Sequence, residues 1–492
     1  MSDARRELDG RFRESARFSN FGNTINRIVV KGIRSHLDTD VEIRSPITAF
    51  SGLNGTGKTT LLHLAAAVYN SANGYVISSF LAKGPLDTTP FIDDASVQVF
   101  LQGTSSRSTS LTLSYNPKSQ RWQGYPRRQQ REVFFFGVGF FLPQSEKRDF
   151  VFRNARALSL TGTTDLEPAV QTWCKRILSS GYDGIQSVTV SHRNRQAEVL
   201  YAKRGALSYS EAHMGCGEGR IHNLLRTLEA CPEKSLVLLE EPEISLHPKA
   251  EYELGKYLID LANRRGHQIF ITTHSERLMR ALPQASLVYL CRQDGVVKGL
   301  PGIASYEAES LMSEGHDKAL TIIVEDEAAK IVLTELLRHH DCHFLKTVHI
   351  AVARHRRNDG QIEASGKDAI RQTMKTLSEA GIKIAAVLDG DDHADHRNSI
   401  HKLPGTRPPE KELVASVAVL AMIEKAYGLQ SDEVTRLLQD EDCHDYFDLI
   451  GRIVSCDADF VMREASRAYS HAIAPSTANQ LIEQLKEDAS RQ

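Results

Sequence analysis

The sequence predicts an α/β protein that consists of two successive α/β units and a helical carboxyl-terminal segment. Three observations support this fold class. Short β-rich runs alternate with helical periodicity along most of the 492-residue chain, a glycine-rich loop joins a strand to a helix, and several apolar strands end in carboxylates. Alternation of this kind is typical of parallel sheets that helices cover on both faces.

Composition limits the classes of function. Hydrophobic residues make up 41% and charged residues 25%, and the net charge is −2, so no global basic excess indicates nucleic-acid binding. The 7 cysteines form no CxxC pair, which favours reduced thiols. The polar amino terminus predicts no signal peptide, and no apolar run of about 18 residues predicts a membrane span. We therefore expect a cytoplasmic protein without membrane association.

Composition shifts divide the chain into four predicted segments. Residues 1–24 are polar and Arg-rich and are predicted to be a flexible arm, and residues 25–305 form the first α/β unit. A Gly- and Pro-containing stretch then precedes a restart of the strand–helix alternation, which predicts a second unit over residues 316–425. Residues 426–492 are predicted to be helical.

The glycine-rich loop predicts a nucleotide site. It follows the β-rich run Ile47–Phe50 and precedes a predicted helix, which is the setting that a phosphate-binding loop requires. Its glycines let backbone N–H groups point at the β-phosphate, Lys58 would reach the β- and γ-phosphates, and the Thr59 hydroxyl would bind Mg²⁺. The predicted ATP-binding residues are Asn54, Gly55, Thr56, Gly57, Lys58, Thr59 and Thr60.

Two later strands would complete this site. The strand 236–239 ends in Glu240 and Glu241, and we expect Glu240 to hold Mg²⁺ and Glu241 to act as the general base for the attacking water. The strand 268–272 delivers His274 at its carboxyl end, where the imidazole would sense the γ-phosphate.

Together these motifs resemble the ABC-type ATPase heads of SMC-like and OLD (overcoming lysogenization defect) proteins. That resemblance implies that two heads sandwich two ATP molecules, with a signature segment of one head capping the nucleotide of the other. The candidate segment is His213–Arg220, in which the backbone of Gly217 and the neighbouring Glu218 would contact ATP. Gly215 stands where the family has a serine, which leaves the strength of the ATP-driven clamp open.

A second set of carboxylates predicts a metal site in the second unit. Glu325 follows one apolar strand, and Asp389 and Asp391 follow another. Because the ends of parallel strands meet at one edge of a sheet, these carboxylates would converge and repel one another unless a divalent cation lies among them. Mg²⁺ or Mn²⁺ fits an all-oxygen set best.

This pattern resembles the Toprim fold of topoisomerases, primases and OLD nucleases. The resemblance implies that Glu325, Asp389 and Asp391 bind the catalytic metals, with Asp392 as a candidate for an extra ligand. Downstream charged residues are weaker candidates for a second metal or a phosphate contact, since such residues commonly serve only the helix dipole: Arg407, Glu410, Lys411 and Glu412.

Zinc is an alternative that the sequence does not favour. His393, His396 and His401 crowd the loop after the Asp pair, but their spacing matches no structural zinc pattern. The segment Asp442–Asp445 contains Cys443 and His444, yet no second Cys/His pair lies near it in the sequence, so we predict an ordinary helical surface there.

The order of an ATPase head followed by a Toprim domain is the OLD-family architecture. By resemblance, we expect an ATP-controlled, metal-dependent DNA endonuclease of anti-phage defence that assembles as a dimer or larger complex through its heads, with a partner subunit in some systems. One alternative is an ATP-dependent sensor or scaffold whose Toprim-like domain is inert. Another is an SMC-like DNA-repair ATPase, which would require long heptad coiled coils.

Overall fold

A computed structural model describes residues 2–103, 108–141, 150–179, 182–293, 295–313, 318–356, 362–364, 367–379 and 383–490. The chain forms two compact units, Met1–Ala308 and Glu309–Gln492. This division falls between the predicted end of the first unit at residue 305 and the predicted start of the second at residue 316, which itself lies outside the described residues.

The first unit contains fifteen described strands. They are β1 (Thr24–Ile33), β2 (His36–Glu42), β3 (Ile47–Ser51), β4 (Phe91–Gln102), β5 (Ser108–Asn116), β6 (Arg121–Gln123), β7 (Val133–Phe136), β8 (Ser159–Asp165), β9 (Gly184–His192), β10 (Arg195–Arg204), β11 (Leu207–Ser210), β12 (Leu236–Glu240), β13 (Gln268–Thr272), β14 (Leu287–Gln293) and β15 (Val296–Pro301).

Its described α-helices are α1 (Ser2–Arg11), α2 (Glu14–Phe21), α3 (Lys58–Ala66), α4 (Phe150–Arg153), α5 (Pro168–Leu178), α6 (Cys216–Ala230), α7 (Pro248–Arg265) and α8 (Glu276–Ala281), and α9 (Ser305–Met312) runs across the division. Short 3₁₀ turns are Ile77–Ser79, Tyr125–Arg127, Val138–Phe141, Ala155–Ala157, Glu211–His213 and Gln284–Ser286.

Three sheets organise the first unit. The central sheet has the order β15-β14-β3-β13-β12-β7 and is parallel except for β15. Its inner strands are buried on both faces, which explains why β12 and β13 read as continuous apolar runs. The two antiparallel sheets have the orders β2-β1-β4-β5-β6 and β11-β10-β9-β8. Residues of α3 join the central sheet and the five-stranded sheet in one hydrophobic core.

The predicted flexible arm at residues 1–24 is wrong, because residues 2–21 form α1 and α2. Leu8 and Phe21 are both completely buried, and the Arg5 guanidinium donates hydrogen bonds of 2.7 and 3.0 Å to the carbonyl of Ala281. The segment is polar overall, but three of its larger apolar side chains, Leu8, Phe12 and Phe21, are buried. Average composition therefore concealed an amphipathic pair of helices.

The second unit is built on a smaller parallel sheet. Its order is β17-β16-β20-β21, and a two-stranded ribbon of β18 and β19 accompanies it. The strands are β16 (Leu320–Val324), β17 (Val348–Val352), β18 (Arg354–Arg356), β19 (Ile362–Ala364), β20 (Ile384–Leu388) and β21 (Ile400–Lys402).

The described α-helices of this unit are α10 (Glu327–His340), α11 (Cys342–Thr347), α12 (Lys367–Glu379), α13 (Pro409–Val414), α14 (Val417–Tyr427), α15 (Ser431–Leu437), α16 (Tyr446–Val454), α17 (Ala458–Ala472) and α18 (Pro475–Ser490), with 3₁₀ turns at His396–Asn398 and Cys443–Asp445.

The carboxyl-terminal segment is helical and packs on this sheet. The Asp488 carboxylate of α18 pairs with the His401 imidazole of β21 at 2.6 Å and accepts a hydrogen bond from the Ser399 hydroxyl at 2.8 Å. Among the described residues of both units, no helix is long and apolar enough to cross a membrane.

The packing of α1 can be tested with Leu8→Ala. Loss of a completely buried leucine should cost about 2–5 kcal/mol and lower the midpoint of chemical unfolding. Leu86→Ala is the matched control, since Leu86 is 96% exposed and its truncation should change little. Equal midpoints for the two variants would contradict the buried position of α1.

Candidate functional sites

The phosphate loop joins β3 to α3 through glycines that other residues cannot replace without strain. Gly52 has φ +139° and Gly57 has φ +87°, both in the region that favours glycine. A Cβ atom at Gly52 would collide with the carbonyl oxygen of Leu290, and one at Gly57 would collide with the His36 ring. Gly55, by contrast, faces open space. The loop is thus held close to its neighbours at both ends and open in the middle.

His36 is a contact of this loop that the sequence analysis missed. The ring is completely buried and bridges the Thr39 hydroxyl at 3.1 Å and the carbonyl oxygen of Gly57 at 3.0 Å. Burial lowers the pKa of His36, so the ring is neutral and fixes the loop by hydrogen bonds. A single histidine after a β-turn carries no signal that would identify this role from sequence.

Lys58 is folded back onto its own loop. Its Nζ donates to the carbonyl oxygens of Gly52 at 2.8 Å and Leu53 at 3.1 Å, and the residue is only 7% exposed. Burial lowers the pKa of Lys58, and the nearby Glu241 carboxylate opposes that effect. The ammonium group therefore lies inside the loop, where it donates to backbone carbonyl oxygens.

The other predicted ATP-binding residues follow the same loop. Asn54 and Gly55 are exposed, whereas Thr56 is buried and its hydroxyl donates to the Leu53 carbonyl at 2.8 Å. Thr60, in the first turn of α3, is 3% exposed. The structure therefore leaves Asn54 and Gly55 accessible at the mouth of the loop.

The predicted magnesium residues lie in direct contact. The Thr59 hydroxyl donates to Glu240 Oε1 at 2.6 Å. Glu240 is the last residue of β12, which is separated from β3 by β13 alone, so the parallel register delivers both side chains to the carboxyl edge of the sheet.

Glu241 and His274 also meet at this edge. Glu241 has φ +44°, and its N–H donates to the carbonyl oxygen of Thr272 at 3.1 Å. Glu241 Oε1 lies 3.8 Å from His274 Nε2. The pKa of His274 is lowered, chiefly by burial and then by the charge of Lys58, so the imidazole tends to be neutral at pH 7.

Glu243 holds His274 in place and was not singled out from the sequence. Its Oε1 accepts hydrogen bonds from the Thr273 hydroxyl at 2.5 Å and from the backbone N–H of His274 at 3.2 Å. Burial raises the pKa of Glu243 to about 7. A buried carboxyl three residues beyond the end of β12 thus holds the chain at the end of the neighbouring strand β13.

The candidate signature segment opens α6. Glu218 Oε2 accepts the N–H of Gly215 at 3.3 Å, while its Oε1 accepts the hydroxyls of Tyr182 at 2.6 Å and Tyr209 at 2.9 Å. Gly217 lies so close to the Ser245 carbonyl oxygen that a Cβ would come within 2.6 Å of it. The Glu218 side chain is therefore occupied within the chain, and a nucleotide contact by this residue remains a prediction.

The acidic residues of the second unit converge as their strands imply. Glu325 follows β16 and Asp389 follows β20, which pair in parallel. Glu325 Oε1 accepts the backbone N–H of Asp389 at 3.2 Å, and Asp389 Oδ1 is buried with no hydrogen-bond partner among the described residues. Asp391 is exposed beside them.

The charges around Asp389 oppose its ionisation. Burial is the main cause that raises the pKa of Asp389 to about 8, followed by the charges of Glu325, Asp326, Glu410 and Asp391. Burial also raises the pKa of Glu325. The arrangement suits a divalent cation, because a cation would satisfy the unpaired oxygen and cancel the repulsion.

Three other acidic residues of this unit have identifiable partners. Asp326 caps α10 by accepting the N–H of Ala329 at 2.8 Å, and Asp392 pairs with the exposed Lys367 at 3.2 Å. Glu412 Oε2 accepts the N–H of Thr406 at 3.4 Å. These three carboxylates have structural explanations that do not involve a metal.

The histidine-rich loop does not gather a zinc site. His401 is 2% exposed, with its Nε2 directed at Asp488, and its Nδ1 lies 3.1 Å from Nδ1 of His396. His393 is exposed and only its backbone carbonyl is engaged, by Arg371. The alternative of zinc at these histidines therefore receives no support from the geometry.

Two family descriptions match the first unit. One described as "AAA domain" matches residues 27–118, and one described as "AAA domain, putative AbiEii toxin, Type IV TA system" matches residues 116–280. Together they span the phosphate loop and the strands β12 and β13. The first unit is an AAA-type ATPase domain, which implies nucleotide binding.

Two phage proteins are similar in sequence. Protein ea59 of Escherichia phage lambda is 23% identical over 271 residues, which cover 49% of this chain and 47% of that protein. The Old nuclease of Escherichia phage P2 is 22% identical over 178 residues, which cover 33% of this chain and 29% of that protein. The chain thus spans less than half the length of these relatives. The predicted relationship to the Old nuclease is confirmed.

Solved structures of SMC heads are distantly similar. The SMC head domain from Thermotoga maritima has a TM-score of 0.36 and 13% identity, and covers 56% of this chain and 98% of its own. An Smc head domain from Pyrococcus furiosus, bound to the carboxyl-terminal domain of ScpA, has a TM-score of 0.36 and 12% identity, and covers 59% and 99%.

The environment of Asp389 predicts a pH-dependent stability. Because the pKa rises from an ordinary 3.8 to about 8, the folded chain binds a proton that the unfolded chain releases between these values. Stability in metal-free buffer should therefore fall as the pH rises from about 4 towards 8. Asp389→Asn should remove this penalty and raise Tm near pH 8 by about 2–4 °C for each 1 kcal/mol relieved.

Thermal unfolding in a chelating buffer at two pH values measures this effect. Asp395→Asn is the matched control, because Asp395 lies in the same loop but is exposed and its pKa is lowered by the Asn398 side chain. The assignment fails if Asp389→Asn and the native chain show the same Tm difference between acidic and alkaline buffer.

Proposed function

We propose that this chain, a relative of the Old nuclease whose first unit is an AAA-type ATPase domain, is an ATP-controlled, divalent-metal-dependent DNA endonuclease. One observation carries the nuclease assignment. A buried and unpartnered Asp389 oxygen lies beside Glu325 at the carboxyl edge of a parallel sheet, where a cation would satisfy it. We further propose that the enzyme acts in defence against phage and assembles through its ATPase domains, as its OLD-type resemblance implies.

The metal-binding residues of the proposed nuclease are Glu325, Asp389 and Asp391, with Mg²⁺ or Mn²⁺ as the ion. Bound divalent cations would supply an activated water and stabilise the leaving oxygen of the phosphodiester. The chain itself would orient the metal-binding carboxylates. The bond from the Asp389 N–H fixes the Glu325 carboxylate, and the exposed Asp391 leaves the edge open to a DNA backbone.

The ATPase residues are proposed to act as follows. Lys58 would exchange its loop carbonyls for the phosphates, and Thr59 with Glu240 would hold the magnesium ion. Glu241 would accept a proton from the attacking water, and the neutral imidazole of His274, braced by Glu243, would donate to the γ-phosphate. The Thr59–Glu240 contact of 2.6 Å supports the pairing of these two residues.

An inert second unit in a sensor or scaffold ATPase is the second candidate function. Gly215 in place of the signature serine and the occupied Glu218 carboxylate favour it, because both weaken the expected nucleotide cap. The SMC-like alternative has less support, since the longest helix among the described residues is α7, with 18 residues.

Plasmid cleavage distinguishes nuclease from scaffold. Supercoiled plasmid is incubated with the native chain and Mg²⁺ or Mn²⁺, with and without ATP. Loss of a residue that merely hydrogen-bonds to a metal ligand typically costs about 10–100-fold in activity, so Asp389→Asn should lower cleavage by at least that factor. Asp395→Asn should retain activity. Absence of cleavage by the native chain under every metal and nucleotide condition would favour the scaffold.

A separate prediction concerns the general base. Glu241→Gln should slow ATP turnover by about 10²–10⁴-fold while ATP still binds, because the amide cannot accept the water proton. Single-turnover hydrolysis and binding of a fluorescent ATP analogue measure the two steps, with Lys58→Ala as the control that loses binding. Unchanged turnover in Glu241→Gln would exclude this residue as the base.

A further inference from the structure

The second unit contains a cluster of mixed ligand types next to its acidic edge. Carboxylate, thiol and imidazole atoms of Glu410, Cys443 and His444 all lie within 4.8 Å of one another. Glu410 belongs to the first turn of α13, and the other two residues form the 3₁₀ turn Cys443–Asp445 before α16. The predicted ordinary surface at Asp442–Asp445 therefore needs revision, because its third member comes from a distant part of the sequence.

The Glu410 side chain supplies independent evidence of a missing ligand. The residue is 3% exposed, and its Oε2 is a buried atom without a hydrogen-bond partner among the described residues. Its Oε1 lies 3.4 Å from Nδ1 of His444. A carboxylate oxygen that is buried and unpaired carries a free-energy penalty, which a bound cation would remove.

The surroundings of Glu410 add to the cost of its negative charge. Burial is the main cause that raises the pKa of Glu410, and the charge of Asp326 adds to it. A hydrogen bond from its own backbone N–H and the contact with His444 act in the opposite direction.

We propose that Glu410, Cys443 and His444 bind a transition-metal ion of the Zn²⁺ class, at a site distinct from the all-oxygen Mg²⁺ or Mn²⁺ site. Thiolate and imidazole ligands select zinc over magnesium, and three protein ligands leave a fourth position open. A closed tetrahedral set would place ligand atoms about 3.5 Å apart, so binding would draw the three side chains inward.

This proposal does not depend on nuclease activity. The 3₁₀ turn is held independently, because the Asp442 carboxylate accepts the N–H of His444 at 3.1 Å. Zinc would tie this turn to α13 and leave Glu325 and Asp389 to their own cation.

Cobalt titration of the full chain, stripped of metal, tests the proposal. Co²⁺ bound by a thiolate gives a charge-transfer absorption band, and stoichiometric Zn²⁺ should abolish it while excess Mg²⁺ should not. Cys443→Ser should remove the band and weaken Zn²⁺ binding by more than about tenfold. His444→Gln should weaken binding similarly, and because the His444 side chain is 63% exposed, this substitution should leave the unfolding midpoint unchanged.

Two control variants test whether the Co²⁺ absorption band comes from the Cys443 thiolate. Cys342→Ser, which changes an exposed thiol on α11, should retain it, and Asp389→Asn should retain it even where plasmid cleavage is lost. A native chain that folds and gives no thiolate band with Co²⁺ would overturn the site. The same band in Cys443→Ser would overturn it as well.

Discussion

The burial of Asp389 beside Glu325 is the constraint on which the proposed metal site of the second unit depends. Parallel pairing of β16 with β20 places both acids at one edge, and the Asp389 N–H donates to Glu325 at 3.2 Å. The backbone thereby satisfies one carboxylate, while Asp389 Oδ1 has no hydrogen-bond partner among the described residues. The cost of burying the Asp389 charge can be relieved in two ways. Without a metal, Asp389 stays protonated, since its pKa is raised to about 8. With a metal, the cation would balance the charge of the ionised carboxylate.

The nucleotide site of the first unit follows a different principle. Its charged groups already have partners within the chain, since Lys58 binds loop carbonyls and Thr59 binds Glu240. His36 holds the loop at Gly57, and Gly52 packs closely against Leu290 of β14. The charged groups of the nucleotide site are thus paired within the chain, whereas Asp389 at the acidic edge keeps a buried oxygen without a hydrogen-bond partner among the described residues.

Sequence reasoning succeeded where chemistry follows directly from strand order. In the second unit, Glu325 and Asp389 each directly follow an apolar strand. Because the ends of neighbouring parallel strands share an edge, the meeting of these two acids could be predicted. Sequence reasoning failed at residues 1–24, where the polar composition predicted a flexible arm. The helices α1 and α2 form there because a few apolar side chains such as Leu8 are buried.

Contacts between segments far apart in sequence also could not be predicted. His36 reaches the phosphate loop from β2, and Cys443 meets Glu410 from a different helical region. Neither contact has a local periodicity or spacing, because each is created only when the tertiary fold brings the segments together. The tyrosine partners of Glu218 are a further contact of this kind, and the contact of this residue with ATP stays a prediction.

Proton release on metal binding tests the central claim most directly. Mn²⁺ is titrated calorimetrically into the metal-free chain near pH 7 in two buffers with different ionisation enthalpies, which counts the protons released. If Asp389 is protonated before it binds the ion, close to one proton should leave per ion at the acidic edge, and Asp389→Asn should abolish that release. Mn²⁺ binding without proton release, or equal release by Asp389→Asn, would contradict the account.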